Sequence, residues 1–190
     1  MADDAQNTVV VIAPNEAVLA GRRHWRYTGA ERPPFADECA AHEESVWDYP
    51  RPPRIEHMNA RVEVFAGSDC VARTDRAARV CETAGAPTWY VPPSDVDDSF
   101  VTYDGGQSVC EWKGVAEGFS VNDITDAGWR YTKMFAEFAP LYLWCAFYPG
   151  KLRCLVDGEA VLPQPGGYYG GWVTPNLVGP IKGGPGSSAW

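Results

Sequence analysis

Short runs of β-branched and aromatic residues, each closed by a glycine, proline or aspartate turn, dominate residues 59–158. R-V-E-V-F (61–65) alternates charged and apolar residues with the period of two that marks a half-buried strand. Ala66-Gly67-Ser68-Asp69 turns it back into C-V-A-R-T (70–74), a hairpin pattern. T-W-Y-V (88–91) is the next β-type run, stopped by Pro92-Pro93-Ser94-Asp95. Runs at 100–103, 107–112, 114–121 and 129–132 follow, with turns at intervals of roughly 8–12 residues. Asp104-Gly105-Gly106 is a turn that tolerates positive φ, and Asp157-Gly158 is another turn. The most apolar stretch, 134–148, is divided by Pro140 into a helical turn and a buried strand from about Leu143, and 152–156 returns. Helix signals are confined to a brief turn at 75–80 and a short helix at 35–47 capped by Asp37. The predicted class is therefore mainly β: a single domain of several short, strongly twisted antiparallel sheets.

Both ends differ from this middle. Residues 1–56 hold one apolar run (8–13) that predicts a short strand, then polar and aromatic sequence without period. Prolines 50, 52 and 53 make 48–54 a stiff connector. Residues 163–190 are rich in glycine and proline, but Tyr168, Tyr169, Trp172, Leu177, Ile181 and Trp190 interleave, which predicts an ordered coil wrapped on the core. The division is an N-terminal arm and connector (1–56), a β-rich core (57–162) and a C-terminal extension (163–190). The aromatic arm and tail are candidates for a homo-oligomer contact.

The net charge of −9 disfavours nucleic acid and anionic membrane surfaces as partners. The start, Met1-Ala2-Asp3-Asp4, is acidic and no apolar run reaches signal-peptide or membrane-span length, which predicts a cytoplasmic protein. The six cysteines form no C-x-x-C pair and none lies near a histidine at ligand spacing, so no metal site is predicted. Cys70, Cys81, Cys145 and Cys154 read as buried thiols.

R-V-E-V-F-A-G with V-A-R-T, then Glu82, W-Y-V-P-P-S-D-V, C-E-W-K-G, Gly128-Trp129 with Tyr131, and A-F-Y-P occur in order between about residues 61 and 156. This series resembles the bacterial family filed as domain of unknown function four-two-seven, which carries a provisional nucleotidyltransferase-like name. The family often has a proline after the cysteine, where this chain has Glu111. The resemblance implies a small β-rich fold and names no cofactor.

The chemistry-bearing residues concentrate at 82–114. Cys110 and Lys113 are the candidate nucleophile and positive charge, because a lysine beside a thiol favours thiolate. Three residues apart on a regular strand they face opposite ways, so cooperation needs a break, and Gly114 permits one. Otherwise Cys110 is buried and Lys113 is at the surface. Glu82 is a candidate base, or else a half-buried carboxylate with Lys113 as ion-pair partner. Tyr90, Asp95 and Trp129 are candidate ligand contacts; the alternatives are core packing for the aromatics and turn capping for Asp95. A nucleotidyl transfer would require a carboxylate pair for Mg²⁺, and Asp95 with Asp97 is the nearest pair. The predicted function is a small-molecule-binding domain or enzyme with its pocket around Cys110 and Lys113, or alternatively a non-catalytic interaction module.

Overall fold

The computed structural model describes residues 8–190; the acidic start at 1–4 lies outside them. One α-helix, α1 (Glu16–Arg22), precedes the strands. In chain order these are β1 (Glu44–Ser45), β2 (Arg54–His57), β3 (Val62–Ala66), β4 (Asp69–Thr74), β5 (Ala78–Cys81), β6 (Thr88–Tyr90), β7 (Val101–Thr102) and β8 (Gln107–Cys110). There follow β9 (Gly114–Val121), β10 (Ile124–Met134), β11 (Cys145–Phe147), β12 (Arg153–Val156), β13 (Glu159–Ala160), β14 (Leu162–Pro163), β15 (Trp172–Val173) and β16 (Leu177–Val178). Strand accounts for 37% of the chain and helix for 12%, so the class is mainly β.

The sheets are small and none closes. The largest runs β11-β10-β9-β7, with β8 also on β9. A four-stranded sheet runs β13-β12-β3-β4 and a three-stranded one β2-β5-β6. The 61–65 alternation becomes β3, whose Val62 and Val64 are buried while Glu63 and Phe65 are half-buried. Ala66 pairs with Asp69 across the predicted turn. Val62, Val64 and Val71 meet Phe119, Phe147 and Trp172 in the main core. Each such side chain contributes about 1.5–3 kcal/mol through burial. A second cluster holds Val80, Tyr90, Tyr131, Met134 and Leu141. A Val91–Cys145 bridge joins the three-stranded sheet to the largest one.

Several local expectations change. Residues 35–47 are not a helix. Their main chain bonds to the tail instead: Asp37 N donates to Gly179 O (3.0 Å) and Glu44 N to Asn176 O (2.9 Å), and β1 pairs in parallel with β16. Phe35, Trp47 and Trp190 form an aromatic cluster with centroids 5.2–5.3 Å apart, and that packing overrides a weak helix preference. The helix lies earlier, where Asn15 accepts from Val18 N and caps α1. The run at 8–13 reduces to one parallel bridge, Val11 to Met134. The 75–80 segment turns into β5, and the end of the connector is β2, paired with it. Gly105 serves close approach rather than positive φ: a Cβ there would stand 2.5 Å from the carbonyl carbon of Gly118. Among the described residues no helix is long and apolar enough to cross a membrane.

Candidate functional site

The strand predicted over 107–112 ends at Cys110, which pairs with Gly114 across the hairpin. Glu111, Trp112 and Lys113 form the turn. Gly114 takes φ +127°, and a Cβ there would lie 2.2 Å from Lys133 O. Only glycine fits both the conformation and the space. The break removes the strand parity between Cys110 and Lys113, and both line one cleft of about 760 Å³. Trp112 instead enters the second core cluster. The arm clamps this turn: Arg22 Nε donates to Glu111 O (2.7 Å), and Trp25 Nε1 donates to Glu111 Oε1 (2.8 Å).

Glu82 follows β5 and also lines the cleft. Its partner is not Lys113 but Arg51, whose Nε donates to Glu82 Oε1 at 3.0 Å. Arg51 is buried (side chain 1% exposed) and also donates to the main-chain oxygens of Tyr27, Thr83 and Trp190. Its guanidinium lies 4.5 Å from the centroid of the Trp25 ring. The predicted Glu82–Lys113 pair fails because the connector delivers a rigid guanidinium to the carboxylate. Its fork also satisfies three carbonyls there, which an ammonium cannot match.

Lys113 is 8% exposed and Lys182 4% exposed. Both line the cleft, and among the described residues no carboxylate lies within ion-pair distance of either. Their environments differ. Burial opposes the Lys113 charge, but Cys110, Tyr90 and Glu82 together outweigh it and raise its pKa. At Lys182 burial wins, with Arg51 adding repulsion, and the pKa falls to about 8 despite Glu82 and Glu111. The Lys182 ammonium sits 3.4 Å from the centroid of the Trp25 ring and 4.8 Å from that of Tyr169.

Trp129 reaches the cleft wall against Tyr148, with centroids 4.7 Å apart. The tail lies on it: a Cβ at Gly170 would meet its ring at 2.2 Å. Tyr90 is fully buried in the second core cluster, beneath the cleft rather than on its wall. Burial pushes its phenol up to about 12. Asp95 is placed elsewhere. Its carboxylate accepts from Thr74 Oγ1 and Arg76 Nη2, both at 2.5 Å. Although burial raises its pKa, hydrogen bonds from Thr74, Arg76 and Ser94 lower it further. Asp97 accepts from Ser99 N (3.0 Å) and caps a 3-10 turn.

Sequence reasoning missed Arg51, Trp25 and Tyr169, and set Lys182 aside because 181–188 lacks the spacing and following helix of a phosphate loop. A cation isolated among prolines (Arg51) and the one lysine of a glycine-rich aromatic tail (Lys182) were the available signals. Neither says what lies opposite.

Small open antiparallel sheets with a lysine-lined cleft at their junction define a mainly-β domain of no regular barrel or sandwich type. The chain belongs to the family described as Domain of unknown function (DUF427), whose sequence profile matches residues 54–158. The family's nucleotidyltransferase label is a provisional name. No curated protein matches the chain. Glu82, Cys110, Lys113 and Trp129 fall inside the matched segment; Trp25, Arg51, Tyr169 and Lys182 fall outside it.

Proposed function

We propose that this protein binds a small organic anion with a planar portion in the cleft between Lys113 and Lys182. The observation that carries the reading is two buried ammonium groups facing one cleft with no carboxylate of the described residues in ion-pair range. A buried charge is costly unless it is paired, so the cleft favours a guest that brings negative charge. The nearby acids are engaged: Glu82 holds Arg51, and Glu111 accepts from Trp25. Asp126 stays exposed at the rim. Trp25, Trp129 and Tyr169 give the cleft an aromatic lining, and about 760 Å³ suits a small molecule. Cys110 supplies a polarisable wall beside Lys113.

The provisional transferase name draws no support from this geometry, because Asp95 and Asp97 are bonded to their own neighbours outside the cleft. The interaction-module reading rested on the aromatic arm and tail. Their Trp47 and Trp172 are wholly buried within this chain, whereas Phe35 and Tyr168 stay exposed, so the alternative keeps a smaller aromatic surface than the sequence suggests.

Thermal shift and calorimetry with aromatic carboxylates and phosphate monoesters, each beside its neutral alcohol, test the reading. The anions should bind and the alcohols should not. Lys113→Met should weaken anion binding at least ~30-fold, since losing one partner of a buried charge pair costs about 2 kcal/mol or more. Equal binding of neutral and anionic members would sink it.

A further inference from the structure

We propose that Lys182 is a nucleophilic amine that forms an imine with an anionic aldehyde or keto acid held in the cleft. This rests on the anion-binding reading and names the reactive class of ligand.

Geometry comes first. The Lys182 backbone is pinned from two sides: its N–H donates to Ala84 O (2.7 Å), and its carbonyl accepts from Gln164 Nε2 (2.8 Å). Gln164 is itself buried and accepts from Ala86 N through Oε1 (3.1 Å). The stem therefore starts from a fixed point, and Nζ ends between the faces of Trp25 and Tyr169. Among the described residues no carboxylate holds the amine there. An amine attacks a carbonyl only when neutral. Desolvation and a neighbouring cation are the two devices that make a lysine neutral near physiological pH. Both are present, burial at 4% exposure and the Arg51 guanidinium. Glu82 and Glu111 favour the ammonium, but burial and Arg51 outweigh them and leave the pKa at about 8; the Trp25 face stabilises the fraction that stays protonated. About a tenth of Lys182 is then neutral at pH 7.

The two lysines divide the work. Lys113 stays protonated and binds the anionic group. The lone pair of Lys182 Nζ attacks the carbonyl carbon, and the π electrons move to oxygen. Nζ loses its protons, the oxygen leaves as water, and a C=N bond remains. Amine and carbonyl are the only reactants and water the only other product, so no oxidant or reductant is required.

Pyridoxal 5′-phosphate serves as the probe, because it is planar, anionic and an aldehyde. Pyridoxine 5′-phosphate is its carbonyl-free counterpart. The chain has four lysines, Lys113, Lys133, Lys151 and Lys182, so peptide mapping after borohydride reduction is unambiguous. At substoichiometric probe the pyridoxyl group should appear on buried Lys182 ahead of exposed Lys133 and Lys151. Saturating pyridoxine 5′-phosphate should raise the melting temperature and slow that labelling about tenfold. If pyridoxine 5′-phosphate stabilises the protein but the label goes to Lys113, Lys133 or Lys151, the imine is overturned and the anion site stands. If Lys182 is labelled while pyridoxine 5′-phosphate neither binds nor competes, the amine is reactive and the anion reading fails. If the alcohol does not bind and Lys182 stays unlabelled, both fail.

Discussion

The cleft presents two buried lysines, Lys113 and Lys182, neither with an ion-pair partner among the described residues, yet the surroundings push the two basicities in opposite directions. Lys113 lies on a hairpin turn inside the family-matched segment, beside a thiol, a phenol and a carboxylate, and its pKa rises. Lys182 comes from the tail, between aromatic faces and next to a guanidinium, and its pKa falls to about 8. Burial alone does not set the protonation state of an amine. The charges that share its cavity decide the sign, and two lysines of similar exposure can become a fixed cation and a titrating one.

The most severe way to break the comparison is at Gly114. Gly114→Ala forces a Cβ into Lys133 O at φ +127° and should cost about 4 kcal/mol in urea unfolding. It should displace Lys113 while labelling at Lys182 persists in the folded fraction. A smaller effect sharpens the contrast through pH. Lys182 takes up a proton with a pKa of about 8 when folded and 10.5 when unfolded. Between these values the unfolded chain holds more protons, so stability rises with pH. The wild type should therefore gain on Lys182→Met by about 3 kcal/mol from pH 8 to 10.5. Lys113→Met should show no such gain: its raised folded pKa keeps the folded lysine protonated while the unfolded one begins to release its proton near pH 10.5, so the wild type should lose slightly at the top of that window. A flat difference for Lys182→Met would show that the two lysines are electrostatically alike.

Glu82 lines the same cleft and raises both lysine pKa values. Glu82→Gln should lower both, move the Lys182 labelling profile to lower pH and destabilise the fold by about 2 kcal/mol by leaving Arg51 without its counter-charge. The smallest change is in thiol reactivity. Cys110 is half-buried on the cleft, while Cys81 and Cys145 are buried with thiols pushed up to about 12. Alkylation of the native protein should reach Cys110 well before Cys81 or Cys145, and a bound anion should slow it. Those same buried thiols ionise in the unfolded chain from about pH 9, so alkaline stability should decline from there toward pH 12.

Much of the matched segment was legible because its signals are local. Alternation at 61–65, the Gly67-Ser68 turn and the β-rich run at 114–121 each follow from side-chain period and turn chemistry. Strand parity identified the conflict between Cys110 and Lys113 and pointed to Gly114 as the residue able to resolve it. Asp95 misled because a carboxylate after Pro-Pro-Ser reads equally well as a cap or a ligand, and only Thr74 and Arg76 across space decide for the former. Tyr90 shares a strand with a half-buried Thr88, and its depth follows from the layer above it, not from the strand.

By itself the sequence determined the class of the fold, the hairpins and the glycine that breaks the strand at Cys110. Those depend on backbone conformations and residue spacings a few positions long. Only the tertiary structure brought Arg51 to Glu82, across 31 positions, and placed Lys182 over Trp25 on the same cleft as Lys113. Electrostatic and aromatic contacts act through space without regard to sequence distance. The ionisation that gives two lysines different chemistry was therefore settled by what folding placed around each of them.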